Sequence, residues 1–325
     1  MCGIAGVYAL TGKPLDPAWG AQLTRALRHR GPDGEGVFCD ERVLLAHTRL
    51  AIIDTSSLGA QPMTSGSGRH LITINGEIYN HETLRSELER SGVSFRGHSD
   101  TESLIEWLER HGVAGLDAVR GMFAFARYDR HTGDLLLARD RLGKRPLFVT
   151  RTPDYLAFAS EVRALLTLPF VSRRWRADTA ADYLRYLYVP SPRTALEGID
   201  RLPPGCTMTV SGVRPGGRHE VQRYWRIPDS DPELRPDDAW WRVFDTELQE
   251  AVRLRTVSDV PIGVFLSGGI DSNLVLQTLQ RIDHHPIRTF TIGFEGLPDE
   301  RAFARSAAAR SSDEHVELMV RPSVR

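Results

Sequence analysis

Met1-Cys2-Gly3-Ile4-Ala5-Gly6 opens the chain. A residue as small as cysteine at position two permits removal of the initiator methionine. Cys2 would then carry a thiol and a free α-amino group on one residue, with unperturbed pKa values of about 8.5 and about 7.7–8.0. Such a residue is a nucleophile with its own base, and it needs no distant histidine. Gly3 to Leu10 is short and apolar, so the sequence places Cys2 at the very start of a buried strand.

Outward from that start, the first 226 residues predict an α+β domain rich in strands. Leu23, Ala26 and Leu27 keep helical spacing within a helix at 17–29, which Arg30-Gly31-Pro32-Asp33-Gly34 ends with turn residues. Strands are expected at 43–53 and 70–75, with Ser65-Gly66-Ser67-Gly68 a flexible tip between them. Asn75-Gly76-Glu77-Ile78-Tyr79-Asn80 reads as a tight turn into a helix at 81–91. A further helix runs from Asp100, its expected N-cap, to His111. Met122 to Ser160 reads as successive strands, with a hairpin at His131-Thr132-Gly133 and a loop at 139–146. Short helices at 161–167 and 178–187 and a strand at 206–211 complete the domain.

Residues 227–236 contain three prolines and no apolar period, the composition of a linker. Beyond it the grammar changes. A helix at 237–256 puts Trp241, Phe244, Leu248 and Val252 on one face. A strand at 261–266, helix at 272–281, strand at 288–293 and helix at 299–311 alternate as in a parallel sheet, whose ligands bind at the carboxyl ends of the strands. Ser267-Gly268-Gly269-Ile270-Asp271-Ser272 lies at such an end. Paired glycines, two hydroxyls and a helix N-terminus suit a phosphate. A dinucleotide fingerprint is absent, and a Walker loop is excluded because the lysines are Lys13 and Lys144. The S-G-G-x-D-S pattern that remains resembles the loop that grips pyrophosphate in ATP pyrophosphatases; read alone, it also suits a glycine turn closing a βα unit.

Composition bounds the function classes. With 325 residues, 41% hydrophobic and 26% charged, the chain has room for two domains. A net charge of −1 gives no reason to expect nucleic acid, and no apolar run approaches the ~20 residues of a membrane span. The start lacks the features of a signal peptide, and Cys2, Cys39 and Cys206 are too few and odd in number for a disulfide framework. A reducing cytoplasm is expected. Cys39 and Cys206 are read as packing residues and His29 and His47 as structural.

Taken together, the motifs resemble the glutamine-hydrolysing asparagine synthetase family, from Cys2 to about Leu318. The matching segments are 1–6, 28–34 (Arg-His-Arg-Gly-Pro-Asp-Gly), 47–50 (His-Thr-Arg-Leu), Gln61-Pro62-Met63, 75–80, Arg139-Asp140-Arg141, 159–162 (Ala-Ser-Glu-Val), 202–205 (Leu-Pro-Pro-Gly), Tyr224-Trp225, 267–272 and Thr291-Ile292-Gly293. The resemblance implies an N-terminal-nucleophile hydrolase sandwich over 2–226, the linker, and a partial α/β ATP-pyrophosphatase domain over 237–325. It implies catalysis by Cys2, with the Asn75 side chain and the Gly76 amide as oxyanion donors. Arg49 would clamp the glutamine carboxylate and Asp100 its ammonium, with Leu50, Ile53 and Glu77 completing the glutamine site. Leu266, Ser267, Gly268, Gly269, Ile270, Asp271, Ser272 and Ile292 would contact ATP, which arrives with magnesium as a substrate; no resident metal site is expected. Read alone, Asn75-Gly76 suits a turn, Arg49 a surface and Asp100 a helix cap.

Asn273 replaces a second serine after the loop, a mild departure. The family also carries, beyond the position of Arg325, a second phosphate-facing loop and a lysine used in adenylation. The expectation is therefore an intact glutaminase half with a shortened synthetase half, working on aspartate or a related acid, as a homodimer or with a complementing C-terminal chain. An inactive or partner-binding remnant, and an amidotransferase or cyclase for another acid, are the alternatives left open.

Overall fold

The structure is a computed structural model describing residues 1–211, 219–229, 238–282, 286–296 and 299–321. The chain divides into two compact units, Met1–Pro228 and Asp229–Arg325. Most of the sequence assigned to a linker, 230–236, lies outside the described residues, as does Asp237.

In the first unit the elements follow as β1 (Gly3–Ala9), α1 (Ala18–Leu27), β2 (Gly34–Cys39), β3 (Val43–Arg49), β4 (Met63–Thr64), β5 (His70–Ile78), α2 (His81–Arg90) and α3 (Asp100–His111). They continue with β6 (Gly121–Asp129), β7 (Leu135–Arg139), β8 (Phe148–Arg151), β9 (Tyr155–Ala159), α4 (Val162–Leu165), α5 (Thr179–Tyr186), β10 (Ile199–Arg201), β11 (Cys206–Val210) and β12 (His219–Arg223). Two antiparallel sheets form, ordered β10-β8-β9-β1-β3-β2 and β12-β11-β7-β6-β5-β4.

Successive residues of a strand face opposite sides, and here both sides are buried. On one face of the first sheet, Ile4, Tyr8, Val43 and Leu45 meet Leu71, Ala124, Tyr128 and Leu137 of the second. The other face of β1, with Ala5, Val7 and Ala9, packs under Trp19, Leu23 and Leu27 of α1. Ile72, Ile74, Phe123 and Phe125 turn outward to Leu84 and Leu88 of α2 and Leu104, Ile105 and Leu108 of α3. The layers are therefore helix, sheet, sheet, helix. This burial explains why the central strands read as continuous apolar runs rather than as alternating ones.

Several local expectations are corrected. Asn75 and Gly76 form no turn: both lie within β5, paired with Ala124 and Phe123 of β6. Non-local pairing overrides the turn preference of the dipeptide, and the chain turns only at Tyr79-Asn80. Strand β3 stops at Arg49, and 50–53 leave the sheet. Ser65–Gly68 is a bonded turn, with Ser65 buried and the Gly66 amide donating to Glu106 at 2.5 Å. The cap of α3 is Ser99, whose hydroxyl accepts from the Glu102 amide, and Asp100 is the first helical residue. Cys39 is exposed on edge strand β2, so it is no packing residue, whereas Cys206 is buried in the core.

The second unit contains α6 (Asp238–Arg253), β13 (Gly263–Phe265), α7 (Ile270–Ile282), β14 (Arg288–Phe294), α8 (Arg301–Ser311) and β15 (Glu314–Val320). Its strands form a parallel sheet ordered β13-β14-β15. Leu248 and Val252 of α6 join the core with Leu266, Leu276, Leu279 and Ala304. Trp241 and Phe244, expected on the same buried face, are 56% and 40% exposed. Helix α7 begins at Ile270, two residues earlier than expected, so it includes the end of the glycine loop.

Candidate active site

Pairing of β1 with β3 places Gly3 opposite Thr48, and Cys2 thereby falls beside Arg49 and Leu50. The Leu50 amide donates to Cys2 Sγ at 3.4 Å, and the thiol donates to the Leu50 carbonyl at 3.6 Å. Arg30 Nε donates to the Cys2 carbonyl at 2.9 Å, and its Nη1 donates to Glu161 Oε1 at 2.8 Å. His29 Nε2 is 2.9 Å from the same carboxylate oxygen. Ser160 closes the frame, its hydroxyl accepting from the Ile4 amide at 3.0 Å. Segments distant in sequence thus seat the N-terminus as one assembly.

Cys2 faces a pocket of about 110 Å³ whose lining includes Met1, Arg49, Leu50, Ile53, Asn75, Gly76, Glu77 and Asp100. Every residue singled out in sequence for catalysis or glutamine contact is therefore on one wall or another of this cavity. The fully buried Asn75 side chain has neither its amide nitrogen nor its oxygen paired with the protein. Buried polar groups normally have partners, so the unpaired Asn75 amide in the lining of this pocket is an exception. Asp100 is buried with one oxygen accepting from the Ile78 amide at 2.9 Å. Arg49 donates through Nη1 to the Ser56 carbonyl at 2.7 Å and through Nη2 to the Asp54 carbonyl.

Electrostatics divide the labour at the N-terminus. Burial pushes the Cys2 thiol above its ordinary value, and the Leu50 hydrogen bond only partly opposes this. The terminal ammonium, carried by Met1, is drawn below 8.0 chiefly by burial, with Arg30 and Arg145 adding to the effect. Burial likewise raises the Asp100 carboxyl, against the pull of the Ile78 amide and His81. Burial thus disfavours the charged form of both groups, the thiolate of Cys2 and the ammonium of Met1.

Sequence reasoning assigned no site role to Ile52, Gly59, Ser99, Thr101 and Arg145, which also line the pocket, or to Gln61 within its motif. Gln61 accepts from the Ile74 amide at 2.7 Å and donates to Thr101 Oγ1 at 3.1 Å, tying β5 to α3. Arg145 touches the Met1 sulfur, and only its place in the loop after Arg139-Asp140-Arg141 hinted at it. His47 is buried away from the thiol, with Nδ1 3.0 Å from Thr73 Oγ1.

In the second unit, the loop between β13 and α7 is closed by its own hydroxyls. Ser267 Oγ lies 3.2 Å from Ser272 Oγ, and the Gly269 amide donates to Ser267 Oγ at 3.3 Å. Gly268 has a φ of 82°, which favours glycine. Ser267, Gly269, Ile270 and Asp271 are exposed, and Gly268 and Ser272 are half-buried. The two apolar residues assigned to ATP part company: Leu266 belongs to the core, while Ile292 is 45% exposed. No cluster of His, Cys, Asp and Glu able to hold a metal occurs among the described residues. Nor is any described helix long and apolar enough to cross a membrane.

The family model described as glutamine amidotransferase domain matches residues 1–225. The chain belongs to the glutamine amidotransferase family. A second model, asparagine synthase, matches residues 244–323. Asparagine synthetase [glutamine-hydrolyzing] 1 of Bacillus subtilis is 33% identical over 99% of this chain and 50% of its own length. Asparagine synthetase B [glutamine-hydrolyzing] of Escherichia coli is 30% identical over 98% of this chain and 54% of its own. The chain spans about half the length of these curated relatives. Among solved structures, glutamine phosphoribosylpyrophosphate amidotransferase from B. subtilis, complexed with ADP and GMP, superposes with a TM-score of 0.52 at 16% identity. That match covers 98% of this chain and 81% of the other. It shows the fold alone, and the layered sandwich of two antiparallel sheets expected from the sequence is the one the first unit adopts.

Proposed function

We propose that the first unit hydrolyses glutamine at Cys2 and that the ammonia serves an ATP-dependent amidation in which the second unit takes part. The convergence of Cys2, Arg49, Asn75, Gly76 and Asp100 on one pocket carries this proposal. After removal of Met1, the neutral α-amine of Cys2 takes the thiol proton. The sulfur then forms a bond to the carboxamide carbon, and the C=O pair moves to oxygen, where Asn75 Nδ2 and the Gly76 amide receive it. Collapse expels ammonia, protonated by the Cys2 ammonium, and leaves a thioester. Water, deprotonated by the same amine, cleaves the thioester to glutamate and the free thiol. Arg49 and Asp100 hold the carboxylate and ammonium of the substrate, with Leu50, Ile53 and Glu77 enclosing its stem.

For the second unit, the exposed Ser267–Ser272 loop supports a pyrophosphate contact with ATP, delivered with magnesium, and Ile292 supports an adenine contact. The names of the relatives support aspartate as the acid, activated as an acyl-adenylate and released as asparagine with AMP and pyrophosphate. A cytoplasmic location and self-association accompany this proposal.

The test is ammonia release from glutamine by the processed chain. Cys2→Ala should abolish it, and so should blocking methionine removal, because the amine is then tied up in a peptide bond. The barrier should rise by several kcal/mol, since nucleophile and base act as one unit. Hydrolysis by Cys2→Ala at the parental rate would refute the assignment.

A further inference from the structure

Beside the pocket, but not in its lining, is a buried carboxylate that the proposed chemistry does not use. Asp54 is 1% exposed and has a φ of 53°, a left-handed conformation rare for a residue with a side chain. Its Oδ1 accepts from the Ser56 amide at 3.2 Å and from the Ser56 hydroxyl. Its Oδ2 accepts from the His98 amide at 3.0 Å, 44 residues along the chain, with His98 Nδ1 3.7 Å away. Burial alone would raise this carboxyl, but the Ser56 and His98 hydrogen bonds outweigh it and hold the group below its ordinary value.

The backbone of the same turn faces the opposite way. The Asp54 and Ser56 carbonyls are the acceptors that hold the Arg49 guanidinium. On the other side, His98 runs directly into Ser99, the cap of α3, and Asp100, its first residue. Two glycines make room for the junction. A Cβ at Gly59 would strike the Arg49 guanidinium and the Asp54 carbonyl, and one at Gly97 would strike Asp54 Oδ2. Glu102 also grips this segment, accepting from the Arg96 and Gly97 amides at 3.0 and 2.9 Å, but it does so from within α3 itself. Asp54 joins the segment to Arg49.

We propose that Asp54 is a positioning residue that sets the separation between Arg49 and Asp100, and thereby makes the pocket selective for an α-amino acid over amides lacking one of its charges. This rests on the glutaminase assignment above. A zwitterion presents its carboxylate and ammonium at a fixed spacing, so a cation and an anion on separate segments select it only if those segments are tied together. Asp54 ties them through one carboxylate and one peptide carbonyl, without touching the substrate.

The experiment compares L-glutamine with glutaramate, the same amide without the α-amino group, on the processed full chain. Asp54→Asn keeps the size of the side chain and removes its charge. It should raise KM for L-glutamine by about 10–100-fold, the weight of a lost charge-assisted contact, with kcat little changed. Preference for L-glutamine over glutaramate should fall by about tenfold, while alkylation of Cys2 by iodoacetamide keeps its rate. Ser56→Ala, which removes one donor to the carboxylate and leaves both carbonyls, should shift KM the same way by less. It serves as the test if Asp54→Asn does not fold. Unchanged KM and selectivity would overturn the proposal, as would parallel losses of kcat and Cys2 alkylation, which would mean collapse of the whole site. A parental chain that releases no ammonia from glutamine would instead refute the glutaminase assignment.

Discussion

At Asn75 and Arg49 the same pocket makes two different demands. Asn75 is fully buried with an unpaired amide, a cost that an isolated chain has no reason to bear. In the proposed reaction the donor gains its partner as charge develops on the carboxamide oxygen. Asn75→Ala should therefore lower kcat by about 10²–10³-fold with KM nearly unchanged. Arg49→Lys should mainly raise KM, because an ammonium cannot reproduce the guanidinium fork. Steady-state kinetics would show the contrast, and equal effects on both parameters would mean the roles are misassigned. The N-terminus adds a pH test. If the thiol ionised by itself, activity would rise only above the ordinary thiol value of about 8.5, since burial raises it. With the Cys2 amine as base, kcat/KM should instead climb through an apparent pKa near or below the about 7.7–8.0 of a free α-amine. A rising limb above the ordinary thiol value would exclude the amine as base.

At the scale of elements, β3 threads two roles through alternate positions. Val43 and Leu45 face the other sheet, as does His47, and Arg49 reaches the pocket at the strand end. Burial draws His47 from 6.5 to about 3, so the folded chain keeps it neutral while the unfolded chain protonates it below pH 6.5. Stability should therefore fall as pH drops from 6.5 toward 3, by up to about 1.4 kcal/mol per pH unit. His81 is lowered in the same direction and adds to the slope. Urea midpoints across this window should fall less steeply for His47→Gln, and an unchanged slope would show that other groups govern the acid transition. The histidine was legible as structural, but its burial was not, because that depends on the second sheet. Other elements resisted for reasons of the same kind. Strand β12 (His-Glu-Val-Gln-Arg) is exposed at every position and carries no apolar alternation. Strand β2 is a largely exposed edge with two glycines. Asn75-Gly76 is a turn signal until β6 is laid beside it. By contrast, the placement of Cys2 and Arg49 at strand ends on one pocket, and of Ser267–Ser272 between a strand and a helix, was legible because it follows from short local motifs. The carbonyls that hold Arg49 belong to residues 54 and 56, and no pattern of side chains announces them.

Across the whole molecule, the two candidate sites draw on separate units. The pocket proposed for glutamine is lined by residues between Met1 and Arg145, and three apolar clusters support it within Met1–Pro228. The glycine loop rests on a fourth cluster, wholly inside Asp229–Arg325. A lesion in that loop should therefore leave glutamine hydrolysis intact. Gly268→Ala is the sharpest such lesion: φ is 82°, and a Cβ would lie 2.7 Å from Phe303 Cβ and 2.9 Å from the Ala304 amide nitrogen. The loop must shift away from α8 to accept the methyl group, which would disturb the phosphate contact proposed for it. Loss of one charge-assisted contact is worth about 1.5–3 kcal/mol, so ATP affinity should fall by about tenfold or more. Calorimetry with ATP and magnesium, run beside a glutaminase assay on the same preparation, separates the two sites. ATP affinity equal to the parent's would remove the loop from the nucleotide site, and a matching loss of glutaminase activity would show that the units do not work independently.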